Sequence, residues 1–249
     1  MNQSETTRPG RLFIVGVGPG DPELLTLKAV RRLNSSPVWL VPKGKSDGRS
    51  TALDILSPVV DGGGKEIIAH HFPMQKIAMG KTPPPEVARA WQAAAALVRD
   101  HLTAGRDVAF PTLGDPAIYS TGFYLCETLL GLHPGLQVEI IPGISAMGAA
   151  AAALGSPLCL GNERLVVIPA TFANGRLRET LLNYDTVVLM KVHRVMPRLI
   201  ELLRRLGLLE KAVLVEKTGQ AEERISRDLT AFLTSEPHYF STIIVRKRA

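Results

Sequence analysis

The sequence predicts an α/β protein of two α/β domains with mixed, largely parallel sheets. Two observations carry this expectation. Short β-branched apolar runs recur along the chain, each followed by turn residues and a stretch of helical periodicity. These runs are also too numerous for one small sheet, and 249 residues suffice for two modest cores. A loose tail, residues 1–10, is expected to precede an N-terminal domain, 11–115, and a C-terminal domain, 116–249.

In order, LFIVGV (12–17) reads as a buried strand and DPELLTLKAVRRL (21–33) as the following helix, with Asp21 as N-cap and Pro22 at its first position. PVWLVP (37–42) is a second strand, running into the basic loop KGKSDGRS and a helix, TALDIL, that ends by Pro58. EIIAHHF (66–72) is a short strand, and the prolines of GKTPPPEV lead into a helix from Glu86 to about His101. Residues 107–130 and 137–155 each repeat the strand–turn–helix pattern. Four further strands are expected at 164–171, 186–192, 211–217 and 241–247, with helices at 175–183 and 196–207.

Composition narrows the class. The net charge of +6 suits an acidic partner, whether nucleic acid, lipid or a polycarboxylate, or simply a solvated basic surface. Cys126 and Cys159 form no CxxC pair, so neither a disulfide framework nor a zinc ribbon is expected. The polar N-terminus has no signal-peptide core, and the Ala- and Gly-rich segment 138–160 is broken by Pro142 and Pro157. A cytoplasmic protein without a membrane span follows.

The glycine turn after the first strand resembles a nucleotide loop, but the spacing fails. In G-x-G-x-x-G the third glycine lets the helix approach; here Gly16 and Gly18 fit and Asp21 stands third. A carboxylate there opposes a pyrophosphate. GKS (44–46) lacks the upstream glycine of a Walker A loop, since Trp39 occupies that place. What remains is a glycine turn carrying an acid, used twice, as GPGDP (18–22) and LGDP (113–116). Such loops suit a cationic or zwitterionic ligand better than an anion, although each Asp also suits a plain helix cap.

VGVGPGDPELLTLKAV, TLGDPAIYS, IIPGISA, TVVLMKV and AVLVEK together resemble, in order, the tetrapyrrole (corrin/porphyrin) methyltransferases. Within that family VPKGKS…STALDIL, HHFPM, DPAIYST and VIPAT are most similar to the branch that methylates C-20 of precorrin-2 or cobalt-factor II in cobalamin biosynthesis. The resemblance implies a homodimer of two-domain subunits, not Rossmann-type, with S-adenosylmethionine (SAM) in the cleft between domains and S-adenosylhomocysteine (SAH) as product. Carried over by motif, Pro19, Gly114, Asp115, Ile118, Tyr119, Ser145, Ala146, Met190 and Thr218 would line the cofactor site. Relatives acting on uroporphyrinogen III carry an Asp where this chain has Pro42, which argues against that step. The family also holds other tetrapyrrole methylases and a ribosomal RNA methylase. An RNA enzyme is expected to interleave aromatics with its basic residues, whereas aromatics are 5% here. Nucleic acid is therefore not expected as a partner.

Methyl transfer needs donor and carbon nucleophile held in contact away from water, so no triad or metal site is required. The meso carbon must afterwards lose a proton, for which Tyr119, Asp21 or a substrate carboxylate are candidates. Asp21, Lys43, Lys45, Arg49 and His71 are the candidate substrate residues, the basic ones answering the carboxylates of the ring. His70 and His71 are neighbours on a strand and point to opposite faces, so no protein-bound metal is expected there.

Overall fold

The computed structural model describes residues 8–44, 48–73 and 82–248. It forms two compact units, the first ending at Ile144 and the second beginning at Ser145.

The first unit holds β1 (Arg11–Gly16), β2 (Val38–Lys43), β3 (Glu66–His71), β4 (Val108–Thr112) and β5 (Gln137–Ile141). Its helices are α1 (Leu27–Ser35), α2 (Thr51–Leu56), α3 (Pro85–Thr103) and α4 (Thr121–Leu132). The sheet order is β3-β2-β4-β1-β5 and every pairing is parallel. Strands buried on both faces read as continuous apolar runs, which is why LFIVG and VAF carry no polar alternation. Phe13, Val15, Trp39 and Val41 meet Ala29 and Leu33 of α1 and Ile55 and Leu56 of α2. Leu12, Ile14, Leu40 and Phe110 form the opposite core with Trp91 and Val98 of α3 and Leu125 and Leu129 of α4. Trp39 is anchored as well as packed: its Nε1 donates to the Leu33 carbonyl at 3.0 Å.

Two expectations are corrected here. Residues 21–33 do not form one helix. Asp21 caps a three-residue 3₁₀ turn, Pro22–Leu24, and α1 starts only at Leu27, capped by Thr26, which accepts from Ala29 N at 3.1 Å. The expected domain division at 115/116 also moves, because β5 pairs with β1 along its length and α4 packs on the first core.

The second unit contains α5 (Ala146–Ala153), β6 (Leu165–Pro169), α6 (Asn174–Asn183), β7 (Thr186–Met190), α7 (Met196–Arg205), β8 (Ala212–Glu216), β9 (Arg224–Ser226) and β10 (Ser241–Arg246). Its order is β6-β7-β10-β8-β9. This sheet is mixed: β6 and β7 are parallel, whereas β10 runs antiparallel to both β7 and β8, and β9 antiparallel to β8. Thus β7 and β8, joined through α7, run the same way with β10 inserted between them. Leu181 of α6 and Met196, Leu199 and Leu203 of α7 cover Val187, Leu189, Leu214 and Ile243. Ala150 and Ala151 bring α5 onto the other face, against Val188, Val215 and Ile244. β9 was not foreseen: RIS is three residues long and too short to show a period of two. Among the described residues no helix is long and apolar enough to cross a membrane.

Candidate functional site

The strand order of the first unit singles out the carboxyl ends of the adjacent strands β1 and β4. From β1 the chain leaves through α1 toward β2; from the adjacent β4 it leaves through α4 toward β5, on the other side. The two connections run on opposite faces of the sheet, α1 on one and α4 on the other, and adjacent strands connected to opposite faces mark a topological switch point, where open α/β sheets bind ligands. Both acid-bearing glycine turns stand there.

The two turns are joined backbone to backbone. Gly18 N donates to Gly114 O at 3.3 Å and Gly114 N to Gly18 O at 2.7 Å. Both residues lie in the left-handed region, at φ +78° and +69°, which glycine adopts without strain. The turn after β5 closes against them. A Cβ on Gly16 would stand 2.7 Å from Gly143 N, and one on Gly143 would overlap the Gly114 carbonyl oxygen. Asp115 ties the second turn to the third, its two carboxylate oxygens accepting from Ala117 N at 2.7 Å and Gly143 N at 3.1 Å. Ile118 N closes the same turn on Asp115 O at 3.1 Å. Pro19 lies between the two glycines of the first turn.

Tyr119 completes this turn in a left-handed conformation, φ +54°, with its ring half exposed. Burial pushes its hydroxyl above the usual tyrosine value, so near neutral pH it is a phenol and a donor. Asp21 lies on the first turn and its carboxylate accepts from Glu23 N at 2.8 Å. Among the basic candidates, Lys43 and His71 are register partners at the ends of β2 and β3. Arg49 is exposed and pairs with Asp54 at 3.0 Å. Lys45 lies outside the described residues. His70 is engaged with α3, its Nε2 2.9 Å from the Ala90 carbonyl, and burial lowers its pKa.

The second unit gathers its candidates at one sheet edge, where β7 and β8 end and β10 begins. Met190 faces Thr242 in register, and the threonine hydroxyl donates to its sulfur at 3.6 Å. Thr218 is buried beyond β8. At the start of this unit Ser145 caps α5, accepting from Gly148 N at 3.2 Å, and Ala146 is the first helical residue. Lys191 and Lys217 stand next to Met190 and Thr218 at φ +58° and +48°. With Tyr119 they make up the non-glycine positive-φ residues among the described ones. Each costs about 1–3 kcal/mol of backbone strain, and such strain clusters at ligand sites. Nothing in the residue type signals it, since lysine rarely adopts this conformation; these two residues were missed in the sequence.

Glu216 braces that edge. Its buried carboxylate pairs with Arg224 and accepts from His238 N at 2.7 Å. Glu216→Ala leaves the His238 amide without its acceptor and is expected to cost about 2 kcal/mol, the cost of losing a charged hydrogen bond. A thermal midpoint lowered by about 4–8 °C checks it.

An open sheet with fused glycine turns at its switch point defines a ligand-binding α/β protein. The chain belongs to the tetrapyrrole (corrin/porphyrin) methylases, the family that residues 11–232 match. It is 34% identical over 240 residues to the cobalt-precorrin-2 C(20)-methyltransferase of Salmonella typhimurium, covering 96% of this chain and 97% of that one. It is 35% identical over 243 residues to the precorrin-2 C(20)-methyltransferase of a Sinorhizobium species, covering 95% of each. Among solved structures, the uroporphyrin-III C-methyl transferase of Thermus thermophilus complexed with S-adenyl homocysteine has the same fold. Its TM-score is 0.66 at 24% identity, over 96% of this chain and 92% of that one.

Proposed function

We propose that this chain is a SAM-dependent C-methyltransferase that adds one methyl group to C-20 of precorrin-2 or of its cobalt-containing counterpart. The observation that carries the proposal is the end-to-end similarity to two relatives that bear that activity in their names. SAM as donor is supported by the S-adenyl homocysteine held by a structural relative. The residues present suit it: the fused turns offer bare backbone, carbonyl oxygens and the Asp115 carboxylate, a setting for a ligand bearing amines and a positive sulfonium. SAM supplies the methyl group when bound.

In this reading Pro19, Gly114, Asp115, Ile118, Tyr119, Ser145, Ala146, Met190 and Thr218 are the cofactor-binding residues. Their task is to orient the reacting groups and exclude water, which supplies up to about 7–11 kcal/mol of a barrier. Tyr119, protonated at neutral pH, donates a hydrogen bond. Asp21 or a carboxylate of the substrate itself then receives the proton leaving the meso carbon. Lys43, Lys45, Arg49 and His71 answer the ring carboxylates. The homodimer and the cytoplasmic location belong to the same proposal.

The test is mass-spectrometric turnover with methyl-labelled SAM, offering cobalt-containing and metal-free precorrin-2 side by side with transfer and ribosomal RNA. One methyl gained by a tetrapyrrole is the expected result, and the faster substrate identifies the route. Label found only in RNA, or in nothing, overturns the proposal.

A further inference from the structure

Two buried side-chain nitrogens among the described residues have no hydrogen-bond partner: Nδ1 of His193 and Nε2 of Gln220. A buried polar atom left unpaired costs about 1–3 kcal/mol, and native proteins rarely leave one without a reason. The two are not scattered. His193 follows Met190 in the loop after β7, and Gln220 follows Thr218 in the loop after β8. Both loops close on the segment that leads into β10. The His193 ring packs edge-on against Tyr239 at 4.9 Å between centroids, Tyr239 contacts Phe240 at 5.2 Å, and Lys217 N donates to Phe240 O at 2.8 Å. The strained Lys191 and Lys217 stand at the same edge.

We infer that His193 and Gln220, flanked by Lys191, receive a side-chain carboxylate of the tetrapyrrole. The inference rests on the methyltransferase reading above and adds to it a binding position for the substrate. The chemistry selects the ligand class. A glutamine amide nitrogen is a donor only, and a neutral imidazole donates from Nδ1 in one of its tautomers. A carboxylate is acceptor-only and takes both bonds, while a lysine beside it supplies charge. Burial holds His193 below its usual pKa, with Arg194 acting in the same direction and Glu236 opposing it, so the ring is neutral when free.

The experiment compares wild type with His193→Ala, His193→Asn, Gln220→Ala and the isosteric Gln220→Glu. Three quantities are read: KM for the tetrapyrrole in the labelled-methyl assay, SAH affinity by calorimetry, and the thermal midpoint. The alanine variants are expected to raise KM roughly 5- to 20-fold and leave SAH affinity within about twofold, in line with one lost charge-assisted bond. Gln220→Glu keeps the shape and sets one carboxylate against another, so its KM is expected to rise further. His193→Asn keeps a nitrogen donor and is expected to recover part of the loss. Wild-type turnover with KM unchanged in His193→Ala and Gln220→Glu overturns this inference alone. So does a loss of SAH affinity in step with KM, which would assign these nitrogens to the cofactor. Absence of wild-type turnover on any tetrapyrrole overturns the methyltransferase reading together with this one.

Discussion

Replacing Gly143 by alanine is expected to abolish methyl transfer and to destabilise the first unit by about 2–3 kcal/mol, the upper range for overpacking. The added methyl group has nowhere to go. It would overlap the Gly114 carbonyl oxygen and stand 2.9 Å from Gly16 Cα, and both neighbours are backbone rather than movable side chains. Relief requires the turns after β1 and β4 to separate from the turn after β5, which breaks the bond from Gly143 N to Asp115 as well. Thermal unfolding and SAH calorimetry on the same variant check both parts. A stable Gly143→Ala protein that binds SAH normally would show that the close approach of the three turns is dispensable.

Asp115→Ala is expected to weaken SAH binding by tenfold or more while costing about 2 kcal/mol of stability. Its carboxylate serves two amides, Ala117 N within its own turn and Gly143 N in the next, and a lost bond to a charged acceptor is worth about 1.5–3 kcal/mol. The amides are left without the acceptor that sets their direction, and the turn loses its tie to the turn after β5. Asp115→Asn retains one carbonyl acceptor and is expected to fall between wild type and alanine. Equal SAH affinity in all three proteins would assign Asp115 to local turn geometry alone.

How much of this was legible in the sequence depends on how loudly each residue type signals. Gly16, Gly18 and Gly114 stood out because only glycine serves where backbone meets backbone, and the structure brings all three into one cluster. The buried strands were legible because burial on both faces leaves a continuous apolar run. The start of α1 was not, since Asp21 with Pro22 and Thr26 with Leu27 are both good caps, and only packing of Ala29 and Leu33 on the sheet decides between them. The domain boundary was misplaced because β5 belongs to the first sheet by a pairing with β1 more than a hundred residues earlier in the chain, which local patterning does not report. The lysines at positive φ and the unpaired nitrogen of His193 are properties of the folded backbone and of burial. No composition or spacing encodes them.

The place of β10 has a consequence for how the protein is made. The first sheet is complete once β5 leaves the ribosome, so that unit can collapse early on contacts of its own. In the second sheet the middle strand is the last one synthesised. Until Ser241–Arg246 arrives, β7 and β8 each present an open edge, with Val188 and Leu189 in one strand and Leu214 and Val215 in the other lacking the strand that joins them. The nascent second unit is therefore a held-open clasp, exposed to wrong strand pairing until β10 is made and closed in one late, long-range step. Any lesion that delays or shortens that strand acts on the whole unit at once.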